Sequence, residues 1–357
     1  MIRFNCDYSE GAHEKVLEKL IATNMEQTEG YGTDHYSVQA KELIRRLCGR
    51  MDADVHFLVG GTQANLTVIS AGLRPYQGVI AADTGHINVH ETGAIEACGH
   101  KILALPSSDG KITAGQIEAC CKAHRDDVDR EHTVQPKMVY ISQSTELGTV
   151  YSREELERIS ETCKRNGLFL FMDGARLGYA LAANGNMMTL EDIARLCDAF
   201  YIGGTKAGAL FGEAVVITAP SLKEDFRYLI KQKGGMLAKG RLLGLQFLAL
   251  LEDGLYMEIA RHADGLAERL RKAFQKAGIP FLVENTTNQL FPVLPDRILE
   301  EWKEKYSFSY QQRVDGEHSA VRFCTSWATR QEDVDLLIED IEKIVLEKGE
   351  DADVSVF

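Results

Sequence analysis

Leu168-Phe169-Leu170-Phe171-Met172-Asp173-Gly174-Ala175-Arg176 decides the fold. Five apolar residues in succession read as a buried strand, and the run stops on an acid. A carboxylate at the carboxyl end of a central strand has little structural use. A buried Asp is usually paired, so Arg176 is its neutral explanation. Working outward, further short apolar runs at 55–59, 79–82, 101–105, 138–142 and 199–202 predict companion strands. Helical patterns lie between them. Asp34 or Thr33 can cap a helix with Ala40, Leu43, Ile44 and Leu47 on one face, and Thr62 begins another. Thr113 with Gln116, and Ser152 with Glu155, have capping-box spacing. Strand–helix alternation of this kind predicts an α/β fold, with a mostly parallel sheet covered by helices and ligands at the carboxyl ends of its strands.

The chain changes character further on. Residues 220–278 read as mostly helical, broken near Gly234-Gly235 and Gly254. Strands are expected at 281–283, 289–294 and 320–325. A last helix opens at Thr329 and Glu332 and buries Val334, Leu337, Ile338 and Ile341. The prediction is a large domain over 13–254 and a smaller α+β domain built from 1–12 and 255–357.

Composition narrows the function. A formal charge of −13 argues against a general nucleic-acid binder, which needs clustered Lys and Arg. No run approaches the ~20 apolar residues of a membrane-spanning helix, and the first residues, MIRFNCDYSEG, lack a signal-type apolar segment. Eight cysteines without a C-x-x-C pair fit reduced thiols in a cytoplasmic enzyme.

The chemistry-bearing residues follow the predicted strands. Gly60-Gly61-Thr62-Gln63-Ala64-Asn65 is a strand-to-helix turn whose backbone amides suit an anion. It matches neither G-x-G-x-x-G nor G-x-x-x-x-G-K-[ST], which disfavours a dinucleotide or a nucleoside triphosphate. His86 ends Asp83-Thr84-Gly85-His86; it could pair with His90 at i+4, with Glu91 beside it, but no H-E-x-x-H occurs and no metal is expected. Lys206 stands among small residues in Gly203-Gly204-Thr205-Lys206-Ala207-Gly208, where a lysine can shift its pKa and form a Schiff base. An Asp such as Asp173 is what pyridoxal phosphate needs at its ring nitrogen to act as an electron sink.

Taken with Tyr31-Gly32-Thr33-Asp34 and Val321-Arg322, these motifs resemble, over nearly the whole chain, the threonine aldolase and β-eliminating lyase family of pyridoxal-phosphate enzymes. The resemblance implies the aspartate-aminotransferase-like fold (fold type I) and pyridoxal 5'-phosphate as cofactor. It implies that Gly61, Thr62 and Gln63, with Thr205, hold the phosphate. His86 would stack on the pyridine ring, Asp173 would pair with its nitrogen, and Lys206 would bind its aldehyde. Arg176, beside the cofactor, would join Arg322 in holding the substrate carboxylate, with Cys6 where the family has serine. It also implies a homotetramer whose sites are completed by a neighbour, with Tyr31 in the completing segment.

The reaction implied is cleavage of threonine or allo-threonine to glycine and acetaldehyde, with His86 assisting the β-hydroxyl proton. Two positions besides Cys6 differ from the family pattern. Glu146, in Gln143-Ser144-Thr145-Glu146-Leu147-Gly148, replaces a histidine, and Leu237 follows Gly234-Gly235-Met236 where an arginine is common. A β-eliminating lyase, with Lys206 removing the Cα proton, is the alternative within the family. A nicotinamide-dependent oxidoreductase is a remote one.

Overall fold

The computed structural model describes the backbone of residues 1–354 and the side chains of residues 1–344. Its strands in chain order are β1 (Ile2–Arg3), β2 (Asp54–Leu58), β3 (Gln77–Ala82), β4 (Ile102–Leu105), β5 (Gln135–Ser142), β6 (Phe169–Asp173) and β7 (Ala199–Gly203). There follow β8 (Glu213–Ile217), β9 (Gln289–Leu290), β10 (Val293–Pro295), β11 (Tyr306–Ser307), β12 (Ser309–Arg313) and β13 (His318–Cys324). Seven of them form the main sheet in the order β2-β8-β7-β6-β5-β3-β4. Neighbours from β7 to β4 are parallel, whereas β8 runs antiparallel to both β2 and β7. The fold is therefore the expected α/β architecture with a mainly parallel sheet and a smaller C-terminal region.

Alternation along the strands divides the large core into two layers. Val139, Ile141, Leu170, Met172, Phe200 and Ile202 face one layer. Met138, Tyr140, Phe171 and Tyr201 face the other, against Ala64, Val68 and Ile69 of the helix Gly61–Gly72. Because side chains on a strand repeat every second residue, Asp173 shares the face of Phe171 and looks toward that helix. Two glycines let the strand ends crowd together. A Cβ on Gly174 would lie 1.7 Å from the Tyr201 carbonyl oxygen, and one on Gly203 would lie 2.5 Å from that of Ala175.

The smaller region has a core of its own, in which Phe4, Leu270, Phe274, Phe323 and Leu337 are buried together. Phe4 reaches it because β1 pairs in parallel with β11, tying the N-terminal segment to the C-terminal part. The helix Leu255–Lys276 serves both: Leu255 and Ile259 pack into the large core, Leu266 to Phe274 into the smaller one.

Two strand expectations need correction. Residues 281–283 form only a bridge between Phe281 and Pro292, because Pro280 and Pro292 offer no amide to extend a ladder. The run 289–294 is split into β9 and β10 around Phe291-Pro292 for the same reason. The strands β1, β8, β11 and β12 were not expected. β12 (SYQQR) is a polar, mostly exposed edge strand without an apolar signature. β8 follows β7 with no helix between, outside the strand–helix alternation.

Candidate active site

Successive parallel strands deliver the candidate residues to one edge of the sheet. His86 lies just beyond the end of β3, Glu146 beyond β5, Asp173 closes β6, and Lys206 follows β7. The turn after β2 adds Gly61 and Thr62. All of these, with Arg176, Thr205, Tyr8, Ser142, Tyr201 and Glu213, line one cavity of about 310 Å³.

Asp173 is buried, and each oxygen is held. Its Oδ1 accepts from the Ala175 amide at 3.0 Å. Its Oδ2 accepts from the Tyr140 hydroxyl at 2.6 Å and from Asn65 Nδ2 at 3.1 Å. Burial opposes ionisation, but the charge of His86 and the hydrogen bonds from Tyr140 and Ala175 outweigh it, so the carboxyl sits below its ordinary value. Asn65 also donates to Glu91 Oε1 at 2.7 Å, and His86 Nδ1 lies 2.8 Å from the same oxygen. A carboxylate oxygen only accepts, so Nδ1 carries the proton and Nε2 is left toward the site. Burial disfavours the imidazolium, yet the Glu91 hydrogen bond and the charges of Asp173 and Glu146 raise its pKa.

Glu146 occupies the bend beyond β5. Its Oε1 accepts from Ser142 Oγ at 2.7 Å and from the His86 amide at 3.1 Å. Burial pushes this carboxyl up; the Ser142 hydrogen bond and His86 work against that, and Asp173 adds to it. Lys206 responds in the opposite sense. Burial and the nearby Arg176 charge lower its pKa, opposed by Asp7, Asp173 and Glu213. The side chain extends past Tyr8, with Nζ 5.9 Å from the ring centre, and the Tyr179 hydroxyl donates to its carbonyl at 2.6 Å. The site thus combines an acid held below its ordinary value, a lysine whose pKa is lowered by burial and Arg176, and a histidine–glutamate pair at hydrogen-bonding range.

Other expected residues are placed less directly. Arg176 lines the cavity, but its guanidinium is gripped by Asp7 through Nε–Oδ2 at 2.7 Å and Nη2–Oδ1 at 3.0 Å. Thr205 donates to Glu213 Oε1 at 2.9 Å and accepts from the Gly212 amide at 3.1 Å. Gln63 braces the turn itself, accepting from the Val59 amide and donating to the Lys233 carbonyl, both at 3.0 Å. Arg322 donates to the Asn5 carbonyl at 3.1 Å, and Cys6 Sγ sits 3.2 Å from Ser9 Oγ. Tyr31 stands elsewhere, half exposed at a φ of 60° beside Lys231. These last four are not among the cavity-lining residues.

Asp7, Asn65, Tyr140 and Glu213 carry much of the site's electrostatics, and motif reading assigned none of them a role. Asn65 stood inside a quoted motif and Asp7 inside the N-terminal stretch MIRFNCDYSEG, and the strand pattern supplied the missing signal for Tyr140, which shares the face of Asp173. Among the described residues, no group of three or more His, Cys, Asp or Glu could hold a metal ion.

Comparison with known proteins agrees with this geometry. The model of the β-eliminating lyase family matches residues 6–296. A low specificity L-threonine aldolase of Pseudomonas sp. (strain NCIMB 10558) is 33% identical over 96% of this chain and 98% of its own. The structure of a Leishmania major threonine aldolase superposes with a TM-score of 0.94, at 45% identity over 97% of this chain and 100% of its own. A Thermus thermophilus aspartate aminotransferase, at 16% identity and a TM-score of 0.70 over 96% of this chain and 91% of its own, shares the fold. With lysine, aspartate, histidine and glycine turn converging on one cavity, the chain belongs to the threonine aldolase and β-eliminating lyase family.

Proposed function

We propose that the chain is a pyridoxal-phosphate-dependent carbon–carbon lyase, a low specificity L-threonine aldolase that cleaves threonine, allo-threonine and related β-hydroxy-α-amino acids to glycine and an aldehyde. The observation that carries this reading is the delivery of Asp173 and Lys206 to one cavity beside the His86–Glu146 pair. The donor set fits the cofactor: the helix Gly61–Gly72 presents free amides to a phosphate, with Thr205 beside them. Asp173 is kept anionic for a ring nitrogen, His86 offers a flat face, and Lys206 offers an amine for the aldehyde. When bound, pyridoxal phosphate supplies an electron sink for the charge left at Cα.

The chain's own residues do the rest. Arg176, with Arg322 and Cys6 nearby, orients the substrate carboxylate so that the Cα–Cβ bond is the one that breaks. Glu146 and His86, joined through the His86 amide, take the β-hydroxyl proton as the aldehyde forms. Glu146 thereby acts from the place that the family resemblance gives to a histidine. Tyr31, half exposed on a separate surface, is assigned to a neighbouring site in a homotetramer. Eight free thiols suit a reducing cytoplasm.

β-Elimination remains the second reading, favoured by one observation: Lys206 lines the same cavity as Asp173, and burial with the Arg176 charge loosens its hold on a proton, as a base for the Cα proton requires. The test offers threonine and allo-threonine, scoring acetaldehyde and glycine, and serine and cysteine, scoring pyruvate, to wild type and Lys206→Ala. Lys206-dependent acetaldehyde supports the aldolase; pyruvate without acetaldehyde supports elimination. Absence of a visible cofactor band overturns both.

A further inference from the structure

Glu213 has no part in the chemistry described so far, yet it is among the most confined acids in the molecule. It opens β8 and is 3% exposed. The ladders pin its backbone on both sides, opposite Gly203 of β7 and Leu58 of β2. Because β8 runs against the parallel strands, its first residue arrives where their last residues do, and Glu213 therefore lines the same cavity as Lys206. Its oxygens accept from Thr205 Oγ1 at 2.9 Å and from the Gly204 amide at 3.3 Å, both in the loop that carries Lys206. Among the described residues no cation forms an ion pair with it within hydrogen-bonding reach, and Lys206 is the positive charge that bears on it most. A carboxylate enclosed in this way has no structural reward comparable to its desolvation cost.

We propose that Glu213 governs the proton on the Lys206 nitrogen, the two groups titrating as one unit. The exchange balances simply: a proton leaves Nζ, freeing the nitrogen lone pair that a carbonyl requires, and a proton is held on a Glu213 carboxylate oxygen. Ionisation of Glu213 favours return of the proton to nitrogen. The surroundings define this unit. Asp173 from β6, Arg176 beyond it, Asp7 and Tyr8 from the N-terminal segment, His90 and the phenols of Tyr201 and Tyr256 are the other titratable groups around the pair. Burial pushes the Glu213 carboxyl up to about 8 while Lys206 and Thr205 oppose it, and burial lowers Lys206. Two interacting sites of this kind titrate as a pair.

This inference rests on the cofactor reading above, and the experiment separates the two. Glu213→Gln keeps a carbonyl oxygen for the Thr205 hydroxyl but removes the charge; Glu213→Asp keeps the charge. In the full-length holoenzyme, the pH titration of the visible band reports the proton on the Lys206 nitrogen. Its midpoint is expected to fall by about one pH unit in Glu213→Gln and to recover in Glu213→Asp, with unfolding temperatures of both variants close to wild type. Thr205→Val, which removes the hydrogen bond and leaves the charge, is expected to move it far less. In the cofactor-free full chain carrying Asp264→Asn, which removes the other acid that burial raises to about 8, an infrared carboxylic-acid band titrating near pH 8 is expected, and it is absent once Glu213→Gln is added. An unmoved midpoint in Glu213→Gln, or an acid band that persists when Glu213→Gln is added to Asp264→Asn, overturns the proposal. If wild type shows no visible band, the cofactor reading fails and the infrared result alone decides the role of Glu213.

Discussion

Arg176 and Asp7 form a two-pronged ion pair, at 2.7 and 3.0 Å, between the loop beyond β6 and a segment 169 residues earlier. Asp7 is wholly buried and the Arg176 side chain 10% exposed. Burial opposes ionisation of Asp7, but Arg176, Lys206 and Asn288 prevail and hold it near 2. Breaking such a pair strands a buried charge, so Asp7→Ala is expected to destabilise the fold by about 3–5 kcal/mol. Thermal unfolding at pH 7 checks this, and the N-terminal segment should lose protection from hydrogen exchange.

Glu146 can accept a proton only when ionised, and its carboxyl is raised by burial. Threonine cleavage should therefore climb with pH along an acid limb above the ordinary carboxylate range. Glu146→Gln should abolish that limb and lower kcat by about 10²-fold or more. A pH profile of kcat in both proteins is the measurement; an unchanged limb in the variant would assign it to another group.

Asp173 owes its anionic state in part to the Tyr140 hydroxyl at 2.6 Å. Hydrogen bonds to a charged group contribute about 1.5–3 kcal/mol. Tyr140→Phe should weaken cofactor binding roughly tenfold or more, read by equilibrium dialysis, while Asn65→Ala should disturb both Asp173 and the His86–Glu91 contact.

Asp264 is a test of stability rather than catalysis. It is 8% exposed, and among the described residues neither oxygen has a hydrogen-bond partner. Burial raises its pKa to about 8, with Arg271 opposing. Between the ordinary value of about 4 and about 8, the folded chain keeps a proton that the unfolded chain has released. Stability must fall as pH rises through that window. Asp264→Asn should be more stable than wild type by about 1–3 kcal/mol at pH 8.5 and close to it at pH 5, as denaturant unfolding at the two values would show.

The legible part of this protein was the part written locally. The apolar run of β6 with Asp173 at its end, the parallel strands beside it and Lys206 among small residues were readable because period, run length and punctuation lie within a few neighbours. Partnership across the chain was not. Nothing near Arg176 announces Asp7, and the Asn65 amide that joins Glu91 to Asp173 sits in a motif read for its glycines. Tyr140 looked like core packing, which it also is. β8 was missed because it breaks the strand–helix rhythm that identified its neighbours.

That reversed strand has a consequence for how the site can change. Gly203 and Glu213 stand opposite each other in the antiparallel ladder, and just inside them the Gly204 amide donates to the Gly212 carbonyl, so the loop joining the strands, which carries Lys206, is a bracket clamped at both feet. Residues added to or removed from the bracket would swing the lysine while the glutamate stayed fixed to the sheet. The spacing between nitrogen and carboxyl is thus adjustable through loop length, with the cavity residues outside the loop left in place.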